Sequence, residues 1–173
     1  MAFLVRKLIK RSSIDLIADA DSLENMFADA ATSEFRTTKG TLSTWRINDI
    51  DDLDNAVLAI VVTSSKIERM DFIVIDTTLI EENHLEYIQS DAGKEIAVPD
   101  LQNTHYDIVN VTISKLINCA CIYRKVFEQD DDNGIYIVRY AQGDIKDLLE
   151  KAVTNGRIRI ELLTKDIRKT MNL

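Results

Sequence analysis

The sequence predicts a single α/β (or α+β) domain over residues 1–173, built as a mixed β-sheet with helices packed on it. Three observations lead there. First, 173 residues suit one domain, which at that size buries about 70% of its unfolded surface. Second, 46% hydrophobic and 29% charged residues are globular, and one Pro and five Gly exclude collagen-like and Pro- or Gly-rich classes. Third, strand-like and helix-like segments alternate along the chain, with no internal repeat and no linker between them.

Phe3 to Ile9 alternates long apolar residues with Arg and Lys and is expected to open the sheet. Ser22 to Ala31 reads as a short helix, with Ser22 as cap and Leu23, Met26, Phe27 and Ala30 on one face. Lys39-Gly40 turns the chain into a strand from Thr41 to Ile47. Asp51-Asp52-Leu53-Asp54 sets acidic residues where a helix N-terminus wants them. Leu53, Val57, Ile60 and Val61 then share one helical face; Ala59 to Thr63 would also suit a buried strand, and helix is preferred.

Phe72-Ile73-Val74-Ile75 is a buried strand bounded by acids. Leu85 to Gln89 and Glu95 to Val98 flank a turn-rich Ser90 to Lys94 and read as a hairpin. From Pro99-Asp100 to about Phe127, residues Leu101, His105, Ile108, Thr112, Leu116, Cys119, Tyr123 and Phe127 recur at three- and four-residue steps. This predicts one long central helix over about 100–127, its apolar arc widened by Val109, Ile113, Ile117 and Ala120. Asp130 to Gly134 ends it, and Ile135 to Tyr140 is a strand. Asp144 caps a helix to about Asn155, Gly156 stops it, and Ile158 to Leu163 is a last strand.

The basic residues of the first eleven follow the apolar ones, the reverse of a secretory leader. The longest charge-free runs are far short of the ~20 residues of a spanning helix, so no membrane contact is expected. Cys119 and Cys121, two apart on a helical segment, point about 200° from each other and do not pair. Two thiols without a disulfide framework fit a reducing cytoplasm.

The net charge of −8 argues against a general nucleic-acid binder. It is also unevenly spread. Residues 1–14 carry +4 and residues 157–173 carry +3, which leaves −15 for the middle. Two stretches hold most of it: 15–54 has ten acids against three bases, and 71–107 nine against one. Such a field attracts basic partners and speeds their approach.

The catalytic signals are few. Aligning Gly134 with the glycine of a calcium loop puts Gln129 at the first ligand and Tyr140 at the last, so the loop fails at both ends. Cys119, Cys121, His84 and His105 have no zinc spacing. His105, near the start of the expected long helix, is a weak candidate base, oriented by Asp107 or Asp76. Asp144-Ile145-Lys146 matches half of a restriction-endonuclease-like signature, with Asp130 to Asp132 upstream as candidate metal ligands. Asp144 also stands where a helix cap belongs. No phosphate-binding glycine loop or nucleophile elbow is present, and no cofactor is expected.

Several segments carry a resemblance. They are Phe3-Leu4-Val5-Arg6-Lys7, Ala28-Asp29-Ala30, Arg36-Thr37-Thr38 leading into Thr41 to Trp45, Asp54 to Ala59, and Asp100-Leu101 followed by His105. Over most of residues 3–109 the chain resembles a set of small bacterial proteins of unknown function associated with mobile genetic elements. The resemblance supplies no activity; it implies a context of defence, counter-defence or toxin neutralisation.

The expected function is therefore a non-catalytic, acidic binding protein that neutralises or regulates a basic protein partner, as an immunity protein or antitoxin does. Asp49, Asp51, Asp52 and Asp54 form the expected docking centre, with Asp19 and Asp21 contributing and Arg36 or Trp45 as the anchor that carries most of the energy. The alternatives are a metal-dependent nuclease or phosphoesterase using Asp131, Asp132, Asp144 and Lys146, and a homo-oligomer whose basic ends meet a neighbour's acidic body.

Overall fold

The computed structural model describes residues 2–9, 11–18, 28–127 and 134–173. Strands β1 (Phe3–Lys7), β2 (Leu42–Ile47), β3 (Met70–Asp76), β4 (Glu86–Gln89), β5 (His105–Val109) and β6 (Ile135–Tyr140) form one six-stranded sheet, in the order β4-β5-β2-β1-β3-β6. Every pairing is antiparallel, so the sheet is not the mixed one expected. Helices α1 (Arg11–Ala18), α2 (Ala28–Glu34), α4 (Thr77–Glu82) and α5 (Ile113–Arg124) cover one face; α3 (Leu53–Thr63), α6 (Gln142–Thr154) and α7 (Lys165–Met171) cover the other. The result is an α+β domain of three layers.

Burial on both faces explains the continuous apolar strands. In β3, Phe72 and Val74 enter the core beneath α3 and α6, while Ile73 and Ile75 enter the core beneath α5. The segment 56–63 is helix. Its residues Ala56 to Val62 are all buried, and Asp49, ahead of the 3₁₀ turn Ile50–Asp52, accepts a bond from the Asp51 N–H at 3.0 Å. The Lys39-Gly40 turn holds both residues at positive φ (56° and 76°) between paired Thr38 and Thr41, a type I′ connection. The expected Ser22–Ala31 helix lies largely outside the described residues; α2 begins at Ala28.

The long central helix over 100–127 is not there. A 3₁₀ turn (Pro99–Thr104) runs into β5, and only Ile113–Arg124 is α-helical. The cause is local. Ile108, Val109, Val111 and Thr112 are β-branched and favour a pleated surface, and Asn110 takes a left-handed φ of 55° that breaks the chain direction. Thr112 then caps α5, its hydroxyl accepting from the Lys115 N–H. The widened apolar arc holds only at Ala120, which is buried, whereas Ile113 and Ile117 are 84% and 49% exposed.

Two expected strands are also absent. Residues 95–98 do not pair with β4, whose partner is β5. They are held singly, the Ile96 N–H donating to Gln102 Oε1 and the Ala97 carbonyl accepting from the Arg159 N–H. Residues 158–163 instead form a 3₁₀ turn at Ile160–Leu162, anchored by buried Ile158 and Leu163.

Gly134 tests the joint before β6. Its φ is +68°, its carbonyl accepts from the Asp76 N–H at 2.7 Å, and an added Cβ would lie 3.1 Å from the Asp76 Cβ. Gly134→Ala is expected to lower stability by about 1–2 kcal/mol in a urea titration. Gly143→Ala, where a Cβ meets nothing and φ is ordinary, is expected to be neutral or stabilising.

Candidate functional site

Four carboxylates, those of Asp49, Asp51, Asp52 and Asp54, come together on the 3₁₀ turn and first helical turn that open α3, and all four residues are exposed. The turn exists because Asp49 caps it, and the acids that follow stabilise the positive end of the helix. Ile50, 38% exposed, sits in the same turn. At its edges, Tyr140 donates to Asp54 at 2.7 Å, and Arg157 bridges Asn55 (3.0 Å) and Asp100 (2.7 Å). Partial burial, the bond to Asp54 and the charge of Asp144 together hold the Tyr140 hydroxyl well above the usual tyrosine range. Among the described residues no Lys or Arg makes an ion pair with any of the four carboxylates.

The expected anchors do not join this cluster. Trp45 is a core side chain, 4% exposed, packed edge-on against His105 with ring centroids 4.9 Å apart, so it presents no surface to a partner. Arg36 is exposed, but it follows α2 and buried Phe35, in the layer opposite α3. Asp19 and Asp21 lie outside the described residues.

His105 stands on β5 and not on a helix. Its ring is 6% exposed and held by two hydroxyls, Ser43 Oγ at 2.5 Å from Nε2 and Ser90 Oγ at 2.9 Å from Nδ1. Neither expected carboxylate orients it: Asp76 caps α4 through the Thr78 N–H and hydroxyl, each at 2.9 Å. A sheet register brings Ser43 and Ser90 to His105 from positions 62 and 15 residues away, which no spacing in the sequence reveals. Ser90 also lines an open polar groove of about 670 Å³, with Gln89, Asp91, Lys94, Glu95, Pro99 and others beside it.

The residues of the nuclease reading serve the helix they stand on. Asp144, in the first turn of α6 rather than at its cap, accepts from the Ala141 N–H at 2.7 Å, and Lys146 pairs with Glu150 at 3.9 Å. Asp131 and Asp132 lie outside the described residues, which include no group of three or more His, Cys, Asp or Glu placed to hold a metal ion. Cys119 is buried and Cys121 half-buried, both free.

The basic N-terminal strand is central in the sheet. β1 lies between β2 and β3, where Arg6 donates to the Ser43 and Glu34 carbonyls and Lys7 pairs with Glu68. Arg6 and Lys7 are thus engaged within the fold; Lys10, the next cation of the basic N-terminus, lies outside the described residues. No helix among the described residues is long and apolar enough to cross a membrane. No family model, curated protein or solved structure matches this chain.

Proposed function

We propose that this chain is a non-catalytic binding protein of a bacterial cytoplasm that masks or regulates a basic protein partner, in the manner of an immunity protein or antitoxin. The observation that carries the reading is the α3 entry turn, where four exposed carboxylates make no ion pair with any Lys or Arg among the described residues. Repulsion among them is relieved when a Lys- or Arg-rich surface arrives, and the field of the acidic middle raises the rate of that encounter. Rim charges of this kind contribute little affinity each, so an apolar contact is also needed, and Ile50 supplies it from within the turn.

The test uses the immobilised chain and its host extract, with eluted proteins identified and their ratio to the bait measured. A single basic protein held at fixed ratio on the native chain, and lost from the quadruple variant Asp49→Asn, Asp51→Asn, Asp52→Asn and Asp54→Asn, is the expected result. Asparagine keeps the cap at position 49, so the variant is expected to melt within a few degrees of the parent. Capture that is unchanged in the variant sinks the reading.

A further inference from the structure

The second acidic stretch of the sequence surrounds an open sheet edge. β4 is the terminal strand of the sheet and pairs only with β5. The Ser90 N–H donates to the His105 carbonyl at 3.1 Å, which fixes the phase of the antiparallel ladder. Ile88 and Glu86, two and four residues back, therefore turn their backbone groups inward to Asp107 and Val109. The N–H and C=O groups of Tyr87 and Gln89 point outward, and no group among the described residues meets them. An edge carrying unpaired donors and acceptors at alternate residues is a template for a further strand.

The surroundings of that edge select what pairs with it. Glu81, Glu86, Asp91 and Asp107 lie on or next to β4, against Lys94 and Lys115. Glu81 accepts from the Tyr87 hydroxyl, and Glu86 holds Asn110 and Lys115. On the strand itself Ile88 is 53% exposed, beside half-buried Asp107. Beyond Gln89 the edge continues into the groove of about 670 Å³ between the Ser90–Lys94 segment and the Pro99–Thr104 turn. A second copy pairing β4 to β4 would bring two such acidic edges together, which like-charge repulsion opposes.

We propose that the β4 edge docks an extended, basic segment of a partner protein as a seventh strand, its main chain bonded to Tyr87 and Gln89 and its apolar side chains laid against Ile88. The proposal rests on the partner chemistry of the reading above but places this contact on a different element from the α3 turn.

The probe is a short fluorescent peptide of alternating Lys and Val, titrated at low salt, with a Glu-Val peptide as control. The Lys-Val peptide is expected to bind, the Glu-Val peptide to fail, and the Tyr87 and Gln89 amides to gain hydrogen-exchange protection in the complex. Gln89→Pro removes an outward N–H that the fold does not use and is expected to weaken binding by about tenfold or more. Neutralising the four α3-turn carboxylates is expected to weaken binding less than Gln89→Pro does, because they stand on another element and act only through the long-range field.

Binding without protection at Tyr87 and Gln89 overturns the proposal. If that binding is also lost on neutralising the α3 turn, the acidic-surface reading stands while strand addition falls. Absence of binding overturns it as well. Protection that grows with protein concentration in the absence of peptide shows self-pairing and likewise overturns it. Exchange on the native chain decides the matter even if Gln89→Pro does not fold.

Discussion

Replacing Phe72 with alanine is expected to lower the unfolding free energy by about 3–5 kcal/mol. Phe72 is fully buried near the middle of β3, a strand paired on both sides, by β1 at Lys7 and by β6 at Val138. Its ring meets the Tyr140 ring edge-on, with centroids 5.6 Å apart at 87°. Truncation removes the transfer energy of the ring, this aromatic contact, and the packing of α3 and α6 over the sheet. The neighbouring elements cannot collapse into the space, because the ladder on each side fixes the backbone. A denaturant titration measures the loss directly. Ile113→Ala, at an 84% exposed position of α5, is the control and is expected to stay within about 0.5 kcal/mol of the parent. Equal effects at the two positions would mean that the three-layer core is not where the structure puts it.

The two positions show what the sequence makes legible and what it hides. Phe72 to Ile75 is a four-residue apolar run between aspartates, and such a run has one good explanation, a strand covered on both faces. α6 is equally readable, because its acidic first turn and Gly156 mark its ends, whereas in α3 only the acidic start favours helix over the strand that Ala59 to Thr63 would also suit. Ile113 sits on a three-to-four-residue repeat that is real on paper, yet the repeat spans a 3₁₀ turn, a strand and a helix. Periodicity was outweighed there by β-branching and by the left-handed Asn110.

Arg6 and Lys7 show a similar limit of local pattern. Charged residues on a strand suggest an edge, but their long stems let the cationic heads leave a central strand and reach the Ser43 and Glu34 carbonyls and Glu68. For the candidate site, the acidic turn was legible because it is contiguous in sequence. Burial of Trp45, the hydroxyl pair on His105 and the unpaired groups of β4 depend on strand order, which no local pattern encodes.

The stability of the folded chain is expected to fall as pH rises from about 9 toward 12. The cause lies in the core beneath α5, where burial pushes the Cys119 thiol from its ordinary value of 9.0 up to about 12. Tyr123, packed edge-on against Phe35 in the same core, is raised above the usual tyrosine range, again chiefly by burial; Arg6 opposes the shift and Glu34 adds to it. Tyr136 and Tyr140 shift in the same direction by burial. Each of these groups keeps its proton in the folded chain at a pH where the unfolded chain has released it. The unfolded state then binds fewer protons than the native one, so the slope of stability against pH is negative. The stabilisation is fully present below the unfolded values and is lost as pH passes the folded ones.

Urea midpoints compared at about pH 8 and about pH 10.5 measure the slope, which is expected to amount to a few kcal/mol. Cys119→Ala and Tyr123→Phe each remove one ionisation from the core, so each is expected to flatten the slope whatever it does to stability at neutral pH. Slopes identical to the parent's in both variants would show that the alkaline loss originates elsewhere, and that neither side chain is shielded from water as the α5 layer requires.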